Sequence, residues 1–281
     1  LSSAAIKALS SGGPVAFEFE PGPGTVLAVS AAPLLEGGAV RGCVLVARDV
    51  TGPRKLETLR KDFVANVSHE LKTPLTAIKG CAETLLSGAL EDREHGPGFA
   101  RSIYEQSVRL ENLVDDLLRI SYAESGKARA EKAAVELGPL VDESASGLTA
   151  LLAKRKITLS NLVPAGLAVN ADRDKLSQVL INLLDNAAKY GREGGWITVS
   201  AAGEPGAVKV SVENNGPGIP ARHLPHIFER FYRADKARSR ELGGTGLGLS
   251  IVKHLVELHG GSVGAESSEP FGALFWFTLP S

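Results

Sequence analysis

The sequence predicts a multidomain chain: a short β segment, a long all-α helical hairpin, and an α+β sandwich. Three observations carry this. Residues 15–50 form alternating or apolar runs separated by Pro21-Gly22-Pro23-Gly24 and Glu36-Gly37-Gly38, the punctuation of strands joined by turns. From Leu56 to Ile120 apolar residues recur at spacings of three and four, the period of an amphipathic helix. From Val135 onward helical and strand-like segments alternate without the strict βαβ rhythm of a doubly wound sheet.

Val15–Glu20, Thr25–Ala32 and Val40–Val50 are the expected strands of an antiparallel meander, thin enough alone to be the end of a larger domain. Leu56, Leu59, Phe63, Val67, Leu71, Leu75 and Ile78 then mark one stripe of a helix running to Gly88. Glu91–Gly98 reads as a loop. Ile103, Val108, Leu110, Leu113, Val114, Leu117, Leu118 and Ile120 mark a second helix that ends before Gly126. One partner helix cannot bury such a stripe, so a homodimer forming a four-helix bundle is expected. Residues 127–134 read as a linker. Leu137–Lys154 reads as one helix, Ile157–Leu162 and Leu167–Asn170 as strands, and Asp172 as the cap of a helix reaching Lys189. Trp196–Ala202, Val208–Glu213, Ser262–Glu266 and Ala273–Leu279 are further strands, and Leu249–Leu258 a helix. The expected domains are therefore 1–50, 51–130 and 135–281.

Composition narrows the function classes. Thirty-one basic against 32 acidic side chains give a net charge of −1, without the basic excess of a nucleic-acid or membrane-surface binder. No apolar run approaches the roughly 18 residues that span a bilayer, so no membrane contact is expected within this chain. The two cysteines, Cys43 and Cys81, are expected to be buried, reduced thiols. The chain starts at Leu1 and contains no methionine. We therefore expect a cytoplasmic piece cut at its N-terminus, leaving room for a membrane anchor upstream.

Four segments carry chemistry. In Phe63-Val64-Ala65-Asn66-Val67-Ser68-His69-Glu70-Leu71-Lys72-Thr73-Pro74-Leu75, His69 leaves the apolar stripe and faces solvent. A neutral imidazole there is a competent nucleophile, and Glu70 can take or orient its other proton. Taken alone, the pair also fits a solvated helix face. The zinc pattern His-Glu-x-x-His fails because Thr73 stands where the second histidine is needed. Pro74 removes one helix hydrogen bond and should bend the helix.

Along Gln178–Tyr190, Asn182 and Asn186 share a helix face and Lys189 lies one turn further. Carboxamide oxygens suit Mg²⁺, an ammonium suits phosphate, and Tyr190 can flank a purine. Asn214-Asn215-Gly216-Pro217-Gly218 follows a strand, where glycines permit close backbone approach to a ligand. Gly243-Gly244-Thr245-Gly246-Leu247-Gly248 precedes a helix, whose N–H groups offer a phosphate site. It lacks the Lys-Ser/Thr of a P-loop. Between the two glycine loops, Ile227-Phe228-Glu229-Arg230-Phe231-Tyr232-Arg233 combines aromatic anchors with arginines, and 234–245 reads as a lid. A metal site built from His223, His226, His254 and His259 lacks the cysteine or carboxylate cluster to complete it.

In their order and spacing these segments resemble the sensor histidine kinases of two-component systems over about residues 50–281, within the phosphate-regulon and cell-wall subgroup. The run ending Gly42-Cys43-Val44-Leu45-Val46-Ala47-Arg48-Asp49-Val50-Thr51 more distantly resembles the last strands of a PAS domain. The resemblance implies a Bergerat-type ATP-binding sandwich behind a dimerisation hairpin, with ATP and Mg²⁺ as cofactors and a response regulator as partner. It implies His69 as phosphoacceptor, Glu70 as its proton acceptor, and Thr73 as the residue that positions water when the partner is dephosphorylated. Asn186 would hold Mg²⁺ with Asn182 in support. Lys189 and Arg230 would contact phosphates, and Tyr190 would pack by the adenine. Gly246 and Gly248 would open the lid over the triphosphate, and Gly216, Gly218, Gly244, Thr245 and Leu247 would belong to the same ATP site.

Two positions depart from the family pattern. Its Asp-x-Gly-x-Gly loop has Asn214 where the aspartate accepts from the adenine amino group. The carboxamide oxygen can still accept, but a charge-assisted bond of roughly 1.5–3 kcal/mol becomes a neutral one of about 1 kcal/mol. ATP binding about tenfold weaker and a relaxed base choice are expected. The last glycine motif is reduced to Gly272 in Pro270-Phe271-Gly272-Ala273. Asn214 therefore keeps open a kinase-poor, phosphatase-dominant or signal-binding alternative. Another ATPase of the same fold would have no use for the His69 helix, and a pure dimerisation module none for the glycine loops.

Overall fold

The computed structural model describes residues 13–124, 130–235, 244–267 and 272–280. Part of the expected linker (127–129) and most of the expected lid (236–243, with Gly243) lie outside them. The chain divides into two compact units, residues 1–69 and 70–281.

In the first unit, β1 (Val15–Gly22), β2 (Thr25–Glu36) and β3 (Ala39–Asp49) form an antiparallel sheet in the order β1-β2-β3, with Phe17 opposite Val29 and Val29 opposite Ala47. Only Val29 and Ala31 are buried among its described residues, as a thin meander implies. Helix α1 (Thr51–Thr84) starts where Thr51 N–H donates to Asp49 Oδ1 at 2.9 Å and Thr51 Oγ1 accepts Val26 N–H at 2.8 Å. Arg54 ties this start to Glu18 of β1 and Glu57 of the helix.

Pro74 sits inside α1 without interrupting it. The departure from α geometry comes later, in a π-turn over Leu85–Ala89 where Gly88 takes φ 122°. In the second unit the end of α1 is followed by α2 (Gly96–Glu124). The connection is shorter than Glu91–Gly98. Asp92 accepts the N–H groups of Glu94 and His95, and the buried Gly96 packs so closely that a Cβ would meet Ala89 O at 2.7 Å. Much of the apolar stripe stays uncovered within one chain: Leu75, Leu86, Leu90, Tyr104 and Leu118 are all exposed. No described helix is long and apolar enough to cross a membrane.

The rest of the second unit is the α+β sandwich. A five-stranded sheet has the order β5 (Thr158–Leu162), β7 (Trp196–Glu204), β8 (Ala207–Asn214), β10 (Ala273–Pro280), β9 (Val263–Ser267). Only β5 and β7 pair in parallel. Strict alternation in β8 and β10 buries Val208, Val210 and Val212 beside Phe275, Phe277 and Leu279. Against them pack α5 (Arg173–Tyr190), through Leu176, Leu180, Leu183 and Leu184, and α6 (Gly248–Leu258), through Val252 and Val256. Asp172 caps α5 by accepting Lys175 N–H at 3.1 Å, as its position predicts.

Three expectations need correction. The helix 137–154 is two, α3 (Leu137–Ser146) and α4 (Thr149–Lys154), because Leu148 leaves helical geometry after Gly147. The linker ends in a strand, β4 (Ala133–Glu136), that pairs with β6 (Ala168–Ala171). Its small residues hide it, since Val135 alone is buried. Cys43 and Cys81 are free thiols, but both are half-buried rather than buried.

Candidate functional site

The C-terminal half of α5 supplies the first wall of a pocket. Its apolar face commits Leu180, Leu183, Leu184 and Ala187 to the core, which turns Asn182, Asn186 and Lys189 outward together. The end of the helix is held by Arg155, whose guanidinium donates to the carbonyls of Ala188, Lys189 and Gly191. A cation on these last carbonyls both satisfies them and complements the helix dipole. Nothing in the sequence marks Arg155 for this, because the contact spans over thirty residues.

The second wall is the loop after β8. Asn214, Gly216, Gly218, Ile219 and Pro220 line it. Trp196 N–H donates to Asn215 Oδ1 at 2.9 Å and fixes the loop on β7. A third wall is the start of α6, where Gly244, Thr245, Gly246 and Gly248 line the pocket. Gly246 takes φ 75° and accepts Phe231 N–H at 2.8 Å, an approach that leaves no room for a Cβ. The cavity measures about 890 Å³, of a size for a nucleotide.

Its polar groups are linked. Gln178 donates to Asn182 Oδ1 at 3.1 Å, Asn182 Nδ2 to Gly248 O at 3.4 Å, and Lys189 pairs with Asp185 at 2.7 Å. Arg119 of α2 donates to Gln178, and Thr245 Oγ1 donates to Asp116 Oδ2 at 3.0 Å. Beneath this contact Leu113 and Ile120 of α2 are buried against Leu247 and Ile251. Burial holds the Asp116 carboxyl above the ordinary aspartate range, against the pull of Thr245, Arg119 and Lys189.

The structure sorts the expected residues into three groups. Asn182, Asn186, Lys189, Tyr190, Asn214, Gly216, Gly218, Gly244, Thr245, Gly246 and Gly248 line one pocket. Leu247 does not; its side chain is fully buried against α2, and only its N–H turns back to Thr245 Oγ1, at 3.2 Å. Arg230 is exposed and outside the pocket wall, whereas Arg233 lines it. His69 and Thr73 are exposed on α1. Glu70 is half-buried and accepts from Arg233 Nη2 at 2.9 Å, with Arg109 at 3.9 Å. Arg233 Nε is buried without a hydrogen-bond partner.

Asn214 lines the pocket with its oxygen already engaged: it accepts Gly216 N–H at 3.0 Å and Ala273 N–H at 3.4 Å. The sequence missed Asn112, Asp115, Asp116 and Arg119, which face the pocket from α2. Their signal is weak, a polar strip on an amphipathic helix. Among the described residues no group of three or more His, Cys, Asp or Glu side chains is placed to hold a metal. His259 instead accepts Asp172 N–H at 3.0 Å and bonds Leu255 O at 2.7 Å.

Two family models match the chain: the His Kinase A (phospho-acceptor) domain over residues 59–126, and the histidine kinase-, DNA gyrase B- and HSP90-like ATPase over 171–281. The chain belongs to the sensor histidine kinases. The sensor histidine kinase WalK of Bacillus subtilis is 39% identical over 87% of this chain and 40% of its own length. The sensor protein kinase WalK of Staphylococcus aureus is 36% identical over 87% of this chain and 59% of its own. These matches agree with the cell-wall subgroup of sensor histidine kinases. The chain thus spans about half the length of the curated relatives it matches.

Among solved structures, histidine kinase ThkA in complex with response regulator protein TrrA has a TM-score of 0.66 at 26% identity, over 99% of this chain and 82% of that one. The Acinetobacter baumannii histidine kinase AdeS has a TM-score of 0.64 at 24% identity, over 75% of this chain and 97% of that one, a likeness of fold. In this histidine kinase chain the phospho-acceptor match covers most of α1 and all of α2, with its polar strip on the pocket, and the ATPase match covers all three pocket walls.

Proposed function

We propose that this chain is the catalytic part of a dimeric, ATP-dependent protein-histidine kinase that phosphorylates His69 and passes the phosphoryl group to an aspartate of a response regulator. The observation that carries this reading is the convergence of Asn182, Asn186, Lys189 and the glycine-rich start of α6 on one pocket, in a chain that also bears the exposed His69. Cationic groups and a helix N-terminus suit a triphosphate.

In this reading an imidazole nitrogen of His69 bonds to the γ-phosphorus as the bridge to the β-phosphate breaks. ADP leaves, the proton on the other ring nitrogen passes to Glu70, and a phosphoramidate remains. Catalysis is then mostly positioning and charge neutralisation. Lys189 and Arg233 hold phosphate oxygens, with Arg230 reaching in from outside the wall. Tyr190 flanks the base. The Asn186 carboxamide, whose oxygen chemistry suits a hard cation, would hold Mg²⁺ beside the phosphates, and Asn182 supports that face. Mg²⁺ supplies neutralisation of the triphosphate charge. Thr73, one turn beyond His69, orients water when the partner is dephosphorylated.

The exposed apolar residues of the hairpin support a homodimer, since a second hairpin buries them as a four-helix bundle. We assign residues 51–130 to dimerisation and phosphotransfer and 135–281 to ATP binding. A second reading, a chain that chiefly dephosphorylates its regulator, is favoured by the committed oxygen of Asn214.

The test is transfer of label from γ-labelled Mg-ATP. Acid-labile, base-stable label that disappears in His69→Ala is the expected result. No label in the parent but strong label in Asn214→Asp would favour the phosphatase reading. No label in either would overturn the kinase.

A further inference from the structure

The pocket has two chemically different ends. At one, Arg119, Gln178, Asn182 and Gly248 are joined by hydrogen bonds, and Lys189 lies one turn along α5 from Asp185. In the nucleotide-binding reading this end, with its cations and helix start, takes the triphosphate. At the other, Ala273 and Phe275 of β10 and Ile219 of the β8 loop give an apolar surface, the kind that takes a purine ring. Asn214 is the polar side chain buried there, with 3% of its surface exposed.

Three backbone groups fix which way its carboxamide points. The atom that faces Gly216 N–H at 3.0 Å and Ala273 N–H at 3.4 Å must be the oxygen. The atom that faces Ala187 O at 3.4 Å must be the nitrogen. A flipped amide would set NH₂ against two donors and oxygen against a carbonyl. Both lone pairs of the oxygen are thus spent, while the nitrogen has used one of two hydrogens. What Asn214 offers a ligand is a donor.

The carboxylates that line the pocket, Asp115, Asp116, Asp185 and Asp235, lie on α2, on α5 and after Arg233, none of them on β8, on β10 or in the 214–220 loop. An amino group at purine position 6 therefore meets a donor, and a carbonyl oxygen at position 6 meets its complement. We infer that Asn214 makes this pocket accept 6-oxopurine nucleoside triphosphates at least as well as adenine ones. This rests on the nucleotide-binding reading of the pocket and names its base.

The experiment titrates Mg-ATP and Mg-ITP, which differ at position 6 and its neighbouring N1, into the parent, Asn214→Asp, Asn214→Ser and Lys189→Ala, each checked by thermal melting. ITP should bind the parent at least as tightly as ATP. Asn214→Asp should shift the ratio toward ATP by about tenfold or more, the scale of one charge-assisted bond. If the aspartate variant does not fold, Asn214→Ser, which removes the amide donor, should reduce the relative preference for ITP. Lys189→Ala should weaken both nucleotides and leave the ratio alone. ATP preferred tenfold over ITP by the parent overturns the inference and leaves the nucleotide pocket standing. A ratio that no Asn214 variant moves does the same. Failure of both nucleotides to bind the parent and Asn214→Asp overturns both readings.

Discussion

Arg233 Nη2 donates to Glu70 Oε2 at 2.9 Å, with 6% of the arginine side chain and 21% of the glutamate side chain exposed. The pair joins the residue beside His69 to a wall of the pocket. Removing one member leaves the other charge poorly solvated, a cost of about 3 kcal/mol where a pair is well buried. Glu70→Gln and Arg233→Gln should each lower stability, and the double variant by less than their sum. A double-mutant cycle from denaturant melts should return a coupling of about 1–3 kcal/mol; additivity would show that the pair contributes nothing.

Asp116 and Asp172 should act on the acid limb in opposite directions. Burial, the largest influence, raises the Asp116 carboxyl. A raised carboxyl contributes stability that is present below its unfolded pKa and lost as pH rises through the folded one. Asp116→Asn, which can still accept from Thr245, should therefore be more stable than the parent at neutral pH. The advantage should shrink as pH falls through the interval between the ordinary and the raised value. Melting temperature against pH for both proteins checks this.

For Asp172, burial alone pushes upward, but the Lys175 ammonium and the N–H groups of Lys175 and Glu131 outweigh it and hold the carboxyl below its usual range. Its contribution is present above the unfolded pKa and lost as pH falls through the folded one. Asp172→Asn should flatten the acid limb of the same curve while costing about 1 kcal/mol at neutral pH from the weakened helix cap.

Gly246→Ala should harm the fold where Gly248→Ala does not. At Gly246, φ is 75° and a Cβ would meet Phe231 Cα at 2.9 Å, itself in a residue with φ 60°. Left-handed backbone costs a non-glycine residue about 1–2 kcal/mol before any clash. At Gly248 the nearest atom lies 3.9 Å away and the residue opens a helix. Thermal melts of the two variants should separate by several degrees.

Lys189→Ala should weaken a nucleoside triphosphate about tenfold and the free nucleoside scarcely at all, since a charged contact of roughly 1.5–3 kcal/mol is lost only where phosphates are present. Titration with each ligand, repeated at raised salt, tests it. The deficit should narrow with salt as the parent's own contact is screened.

Much of this molecule was readable along the chain. The stripes from Leu56 to Ile120 marked both hairpin helices, the runs Val208–Glu213 and Ala273–Leu279 marked two strands of the sheet, and Asp172 announced its helix. Local rules suffice there because each residue's neighbours lie within one turn or one strand. They failed at β4, where one buried valine among small residues carries no period, and at Leu148, where a single departure from helical geometry splits a helix.

The pocket residues on α5, the β8 loop and the start of α6 were legible for the same reason: type and spacing within one segment state the chemistry. Long-range pairing was not. Nothing near Arg233 announces Glu70, nothing near Asp116 announces Thr245, and nothing near Arg155 announces the end of α5. The sequence alone determined which groups are available, including an asparagine at position 214. The tertiary structure decided which atom of that asparagine is left over, because a carboxamide has a donor side and an acceptor side, and only the packed backbone of Ala187, Gly216 and Ala273 chooses between them.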